Sequence, residues 1–273
     1  MMGVMPGWDK KLVKVTPENY FSTEASMDYM GASQFKAFMD CPARAMAEIR
    51  GEYKMTSDAL LQGSYMDAHF EGTLDIFKGQ HPELFKRDGS LLAKYEHVND
   101  CINAIESDPV MLKLCTGEQQ KIMTGMIGDV PFKIMIDSYH PDVTVDRKLM
   151  ANFDDKWKDG EYVPWWKAYG YQYQAAIYSY IRAQNEHTKM KPFDLVAVSK
   201  EPVPDKDWVR FDPDYLHEVL AEIYHHASTF KSIKVGFLDA EACGDCEYCR
   251  MHKKLTVPRI IGGEGDGRQE NQG

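Results

Sequence analysis

The segment from Glu118 to Met150 constrains the fold of this 273-residue chain more than any other. It contains three short runs with the composition of β-strands. The turn signals Gly128-Asp129 and His140-Pro141-Asp142 separate these runs. The segment therefore predicts an antiparallel three-stranded meander.

Helical patterns lie on both sides of this meander. Upstream, Pro42 can open a helix, and apolar residues recur at helical spacing over 58–70 and 92–105. Downstream, the sequence predicts a long aromatic helix over roughly 162–185, strands over 193–198 and 208–211, and a helix over 215–230. A meander mixed with helices, without repeated strand–helix crossovers, predicts an α+β or mixed α/β sandwich rather than a doubly wound fold.

Two acidic residues are expected at neighbouring strand ends. Asp137 closes an apolar run, and the short turn after it returns the chain so that Asp137 and Asp146 can lie side by side. Alternate side chains of a strand share a face, so Asp146 and Lys148 point the same way and Arg147 points to the other side. Adjacent carboxylates repel each other unless a cation bridges them. The pattern therefore predicts a hard divalent cation, Mg²⁺ or Mn²⁺, beside Lys148.

An Asp that closes one strand and an Asp-x-Lys tripeptide on the next resemble the signature of the PD-(D/E)XK nucleases. Further matching segments are SQFKAFMDCPARA (33–45), GSYMDAHF (63–70), the strand start at Glu118 and YGYQYQAAIYSY (169–180). Over roughly 30–255 the chain is most similar to phage-type RecE-like and RecB-like exonucleases. It departs from their pattern at Leu149 and Met150, where the family usually carries hydroxyl residues.

The resemblance implies roles for individual residues. The implied metal ligands are His69, Asp137, Asp146 and the backbone carbonyl of Arg147. The implied catalytic residues are Asp137, Asp146, Lys148, Glu118 and Gln174. The implied DNA contacts are Tyr171, Gln174 and Tyr178, which share one face of a helix. Each position also has an ordinary alternative, such as a solvated acidic residue, a helical histidine or an aromatic residue of the core.

The resemblance also implies a restriction-endonuclease-like core, in which helices flank a central mixed sheet and the N-terminal region is helical. We predict an N-terminal arm over 1–29, a single nuclease domain over 30–259 and a disordered, Gly-rich tail over 260–273. Within the domain we predict a helical part over 30–116, the catalytic sheet and helix over 117–232, and a cysteine region over 240–255.

Three cysteines lie close together in sequence near the end of this domain. The spacing of Cys243, Cys246 and Cys249 lets one tight loop bring three thiolates to a single metal centre. A fourth ligand is required. The resemblance to iron–sulfur nucleases of the superfamily implies Cys41 as that ligand and a [4Fe–4S] cluster as the group bound. Zn²⁺ and unligated reduced thiols are the alternatives.

Charge and hydropathy limit the function. The net charge of −10 excludes a histone-like protein that binds nucleic acid through bulk charge, while a local basic groove remains compatible with it. No apolar run has the length of a secretory signal or a membrane span, so we expect a cytoplasmic protein that does not bind membranes.

The implied function is a metal-dependent exonuclease that acts 5′-to-3′ on the ends of linear double-stranded DNA during phage recombination. The implied partners are a RecT-like single-strand annealing protein and further copies of the chain in a homo-oligomeric ring. One alternative is a non-catalytic DNA-binding or assembly module with a structural metal cluster. Another is a metallohydrolase that acts on a small phosphoester.

Overall fold

The computed structural model describes residues 11–258. Its helices are α1 (Thr23–Asp28), α2 (Ala32–Asp40), α3 (Pro42–Arg50), α4 (Asp58–Phe70), α5 (Leu74–Gln80), α6 (His97–Glu106), α7 (Pro109–Cys115), α8 (Trp165–Ala168), α9 (Tyr171–Glu186), α10 (Pro213–Lys234) and α11 (Glu247–His252). Its strands are β1 (Glu118–Ile127), β2 (Val130–Tyr139), β3 (Thr144–Met150), β4 (Lys156–Lys158), β5 (Glu161–Val163), β6 (Phe193–Ser199) and β7 (Lys206–Phe211).

Five of these strands form one mixed sheet in the order β1-β2-β3-β6-β7. The antiparallel meander of β1, β2 and β3 is the one that the turn residues predict. β6 lies parallel to β3, which the long connection through α9 permits, and β7 is antiparallel to β6. The predicted fold class, a mixed sheet flanked by helices, is confirmed.

Helices cover both faces of this sheet. On one face α2, α9 and α10 bury a core in which the rings of Phe38 and Phe230 stack 5.1 Å apart. On the other face Met66 of α4 and Ile102 of α6 pack against Val196 of β6. Because β6 lies under helices on both sides, all of its residues are buried.

The predicted aromatic helix begins later than its sequence pattern suggests. Tyr162 lies in the small hairpin of β4 and β5, and α9 starts only at Tyr171. Pro164 and Gly170 interrupt the run, because Pro164 lacks a backbone donor and Gly170 has φ +65°, in the left-handed region. A Cβ at Gly170 would lie only 3.1 Å from the side chain of Lys36.

Residues 11–29, part of the predicted N-terminal arm, pack onto the sheet. Tyr20 is buried, and its carbonyl accepts a hydrogen bond from the Lys133 ammonium of β2. Directly after this stretch, the Met30 N–H donates to the Pro131 carbonyl at 2.8 Å. The tail predicted over 260–273 lies outside the described residues. Within residues 11–258, no helix combines the length and apolar character that a bilayer crossing demands.

Candidate active site

The sheet opens between β2 and β3. β1 pairs with β2 along nearly its whole length, and β3 pairs with β6 at every residue. In contrast, β2 and β3 form only two residue pairs, Ser138 with Val145 and Tyr139 with Thr144. Asp137 is the next residue of β2 and Asp146 the next residue of β3, so both carboxylates lie where the pairing ends.

Asp137 fills part of the gap between the separated strands. Its Oδ2 accepts a hydrogen bond from the Arg147 backbone N–H at 3.2 Å. The opening leads into a cleft of about 810 Å³. The charged side chains that line this cleft are Asp67, Glu71, Asp137, Asp146, Lys36, Lys133, Arg147 and Lys148.

Asp146 is held from two sides. It is 2% exposed, forms an ion pair with Lys148, and accepts a hydrogen bond at Oδ1 from Gln174 Nε2 of α9 at 2.5 Å. The alternation of a strand predicts this shared face of Asp146 and Lys148, and the helical spacing predicts that Gln174 lies on one face with Tyr171. Burial lowers the pKa of Lys148, but the nearby carboxylates outweigh it and raise that pKa above its ordinary value. Lys148 therefore keeps its proton at neutral pH.

Asp137 and Asp67 resist ionisation. Burial raises the pKa of Asp137 well above its usual range, and repulsion from Asp146 and Asp67 raises it further. Burial also raises the pKa of Asp67 to about 6, against the lowering effect of Arg147 and Lys148. A cation among these groups would favour their charged forms. Asp146 Oδ2 is buried against the Lys148 ammonium, and this set of hard oxygen ligands fits Mg²⁺ or Mn²⁺.

Two predicted site residues lie away from these carboxylates. His69 Nε2 contacts Glu106 Oε1 at 2.7 Å, and the histidine does not line the cleft. Its side chain is turned by about 200° around the helix from that of Asp67, because the two are two residues apart. Glu118 does open β1, but its carboxylate is exposed and pairs with Lys121 at 2.7 Å. The structure therefore does not bring His69 or Glu118 to the predicted metal site.

Asp67 and Glu71 occupy the cleft in their place. Asp67 Oδ1 lies 3.4 Å from Arg147 Nε, and Glu71 Oε1 accepts a hydrogen bond from Gln120 Nε2 at 2.5 Å. Sequence reasoning missed both residues. The available signal was the spacing of Gly63, Asp67 and Glu71, each four residues after the previous one and hence on one helix face.

The Arg147 side chain lies on the opposite face of the sheet from Asp146, as predicted. It is fully buried and donates to Gln119 Oε1 at 2.8 Å and to the Cys115 carbonyl at 3.1 Å. These contacts attach α7 and the start of β1 to β3. Metal binding by the Arg147 backbone carbonyl stays a prediction.

The four predicted cysteine ligands converge at a second place. Their sulfur atoms all lie within 4.8 Å of one another, with 3.6 Å between Cys41 and Cys249 and 3.8 Å between Cys243 and Cys249. Cys41 joins α2 to α3, whereas the other three lie in the loop before α11 and in α11 itself. An ion can bind without rearrangement where the ligand atoms of Cys, His, Asp or Glu side chains already lie close together. Within residues 11–258, these four cysteines are the group that meets this condition.

Backbone donors surround these sulfur atoms. The N–H groups of Cys243, Cys246 and Cys249 each point at a neighbouring cysteine sulfur, at 3.3–3.5 Å. Burial raises the pKa of Cys243, but N–H donation from Cys246 and Asp245 outweighs it and lowers that pKa to about 7. Cys243 therefore favours the thiolate form, which is the form that binds metals, whereas burial raises the pKa of Cys246 and raises that of Cys249 to about 12. A bound cation would favour the thiolate form of these two as well.

Comparison with known proteins identifies the family of the chain. Residues 31–252 match the family described as "PDDEXK-like domain of unknown function (DUF3799)". The chain belongs to this family. A crystal structure titled "Putative exonuclease", from Eubacterium rectale, is similar to this PDDEXK-like domain with a TM-score of 0.84 and 35% sequence identity. The similarity covers 91% of this chain and 97% of that one. No curated protein matches the chain.

The two tyrosines of α9 differ in their access to the cleft of the PDDEXK-like domain. The Tyr171 hydroxyl donates to Met150 Sδ at 3.7 Å, and its ring faces the ammonium of Lys148 at 5.2 Å from the centroid. Tyr178 is 8% exposed, and its ring packs edge-on against Phe193. The DNA contacts of both tyrosines stay predictions. Met150, where the sequence departs from the pattern of the exonucleases that it resembles, is buried in the core.

Proposed function

We propose that this PDDEXK-like protein is a divalent-metal-dependent deoxyribonuclease that removes nucleotides from the ends of linear double-stranded DNA. The observation that carries the proposal is the position of Asp137 and Asp146 where β2 and β3 separate, with Lys148 beside them. A buried carboxylate such as Asp137, whose pKa is raised by its burial and by neighbouring carboxylates beside an accessible cleft, is typical of a functional site. The description of the similar crystal structure as an exonuclease supports the same activity.

The residues of the chain have separable roles in this reaction. Asp137, Asp146 and Asp67 would hold the cation, and Gln174 orients Asp146 through its hydrogen bond. Lys148, which carries its proton, can donate a hydrogen bond to the attacking water or to a phosphate oxygen and so position it. Mg²⁺ or Mn²⁺ would supply positive charge that stabilises the phosphate in the transition state.

The finer features of the proposal rest on the resemblance to RecE-like enzymes. We propose 5′-to-3′ polarity, a role in phage recombination in the cytoplasm of the host cell, and action beside a RecT-like annealing protein. We also propose that copies of the chain form a homo-oligomeric ring that encloses the DNA. Such a ring is compatible with the acidic composition of the chain.

One digestion experiment tests the activity. Purified protein with Mg²⁺ should degrade linear duplex and leave covalently closed circles intact, because an exonuclease needs an end. Lys148→Ala should abolish degradation, whereas Lys167→Ala, which changes an exposed lysine outside the cleft, should not. Equal digestion of circles would show an endonuclease. Binding without degradation would support the non-catalytic DNA-binding module instead.

For the second site we propose a single Zn²⁺ bound by Cys41, Cys243, Cys246 and Cys249. Four thiolates at about 2.3 Å from one tetrahedral ion lie about 3.8 Å from one another. Two of the six separations, 3.6 and 3.8 Å, agree with that value, and all six are within 4.8 Å. In a [4Fe–4S] cluster each thiolate binds a different iron, so the sulfur atoms would have to lie further apart.

Metal analysis of the purified protein distinguishes the two groups. We expect about one zinc per chain and no visible absorption band. Bound iron with a broad visible band would establish the iron–sulfur cluster and contradict the zinc assignment.

A further inference from the structure

We propose that Lys36 forms a phosphate-binding subsite that anchors the DNA strand beside the carboxylates. The inference rests on the proposed nuclease function and deepens it, because it assigns a substrate contact to a residue of α2. Lys36 lies in the first helical layer, more than 100 residues before the catalytic strands in sequence. The cleft nevertheless includes it.

The other cations of the cleft already have partners. Lys148 pairs with Asp146, and Arg147 donates to carbonyl and carboxylate oxygens. Lys133 donates to the carbonyl of Tyr20. Each of these groups would have to break an existing contact in order to bind a phosphate.

Lys36 has no such partner. Among the described residues, no carboxylate or carbonyl accepts a hydrogen bond from its ammonium, which faces the ring of Tyr171 at 4.7 Å from the centroid. Lys148 faces the same ring at 5.2 Å. The two ammonium groups therefore lie against one aromatic ring. Lys148 is paired with Asp146, whereas Lys36 is available to bind an oxygen ligand.

The backbone of α9 leaves room for this arrangement. Gly170 precedes α9, and a Cβ there would lie 3.1 Å from Lys36 Cδ and 3.5 Å from Lys36 Cγ. The missing side chain lets the stem of Lys36 pass between α2 and α9 and reach the Tyr171 ring. The position of the ammonium is thus set by packing along its stem rather than by an ion pair.

A phosphodiester is the ligand that fits this site. The cleft carries four carboxylates, which repel a polyanion unless cations compensate for them. Burial, with a smaller effect from the nearby Lys148, lowers the pKa of Lys36 to about 8, so an anion beside Lys36 would relieve an unfavourable charge. An amine cation on a flexible stem binds a phosphate as a point charge. We assign to Lys36 a phosphate next to the scissile one.

The test measures duplex binding without added divalent cations, so that no hydrolysis occurs. Lys36→Met keeps the stem and removes the charge, Lys36→Arg restores a charge, and Lys167→Met is the matched control outside the cleft. We expect Lys36→Met to weaken binding about fivefold at about 0.15 M salt, the contribution of one phosphate contact through counterion release. The slope of log K against log salt should fall by about 1, and Lys36→Arg should restore both values.

A neutral methylphosphonate placed at successive positions of one strand locates the contact. At the position bound by Lys36, wild-type protein should lose affinity about fivefold, whereas Lys36→Met should lose nothing further. A lysine with a merely structural role would not show this coupling.

The possible results separate the two proposals. If wild-type protein degrades DNA and Lys36→Met binds with unchanged affinity and salt slope, the subsite is refuted and the nuclease function stands. If Lys36→Met binds normally but hydrolyses slowly, Lys36 acts in the chemistry and the anchoring role is wrong. If wild-type protein neither binds nor degrades DNA, both proposals fail. Circular dichroism of each variant checks that the fold is intact.

Discussion

Two substitutions on α4 distinguish the metal ligand that the structure indicates from the one that the sequence resemblance implies. The sequence resemblance points to His69 as a ligand, whereas the structure places Asp67 beside Asp137 and Asp146. Asp67→Asn keeps the size of the side chain and removes its charge. His69→Gln, two residues further on the same helix, changes a residue outside the cleft and is the matched control.

We expect Asp67→Asn to raise the Mg²⁺ concentration for half-maximal activity by about 10- to 100-fold, as loss of a supporting ligand typically does. This corresponds to about 1.4–2.7 kcal/mol of binding free energy. For His69→Gln we expect a change of less than about twofold, because only its contact with Glu106 is lost. Both partners of that contact are partly exposed, at 31% and 40%, and such pairs contribute about 0–1 kcal/mol to folding.

Thermal unfolding supplies a readout that does not depend on catalysis. A ligand at 100 times its Kd stabilises the native state by about 2.7 kcal/mol. At the same Mg²⁺ concentration, a Kd weakened 10- to 100-fold leaves about 1.4–0.4 kcal/mol. The Mg²⁺-dependent rise in Tm should therefore shrink in Asp67→Asn and persist in His69→Gln. The opposite pattern would refute the assignment of Asp67 and restore His69 as the ligand.

Three further predictions concern the cysteine site, the orientation of Asp146 and the buried Lys234. Cys41→Ser should reduce bound zinc below one per chain and lower Tm, measured by metal analysis and calorimetry; full zinc content would exclude Cys41 as a ligand. Gln174→Met should reduce kcat about tenfold with little change in KM for DNA, because a hydrogen bond to a charged group contributes about 1.5–3 kcal/mol. An unchanged kcat would contradict its positioning role. Burial, with a smaller effect from Lys133, lowers the pKa of Lys234 to about 7, so the unfolded chain binds a proton above pH 7 that the native protein does not. The free energy of unfolding, measured by denaturant titration, should therefore increase through this group as the pH rises from 7 to 9. Lys234→Met should remove that part of its pH dependence.

Local patterns in the sequence predict most of the fold. The strand start at Glu118 and the helix over 58–70 agree with the structure, because turn residues and apolar spacing are local signals. Asp137 was expected to close its strand, but β2 continues to Tyr139. The aromatic segment from Tyr162 to Gly170 was predicted wrongly as the start of one long helix, whereas only the short helix α8 (Trp165–Ala168) forms there. Its composition resembles that of the true helix, and one proline and one glycine decide the outcome.

The candidate site shows a different limit of sequence reasoning. Asp146 and Lys148 were predictable because the two-residue repeat of a strand is exact enough to assign faces. The resemblance to RecE-like and RecB-like exonucleases implies His69 as a ligand, although its helical phase differs from that of Asp67. The separation of β2 and β3 is a tertiary property, and no single segment encodes it. Lys36 reaches the cleft only through the packing of α2 against α9.

The cysteine site also affects how the chain is made. Cys41 and its partners are separated by 202–208 residues, so the coordination sphere is incomplete until the ribosome has synthesised nearly the whole domain. At about 5–20 residues per second, this interval lasts about 10–40 s. During that time the nascent chain already contains the catalytic strands, but the helix that carries Lys36 lacks its tie to the C-terminal segment. Zinc supply would therefore limit the last step of maturation rather than the first.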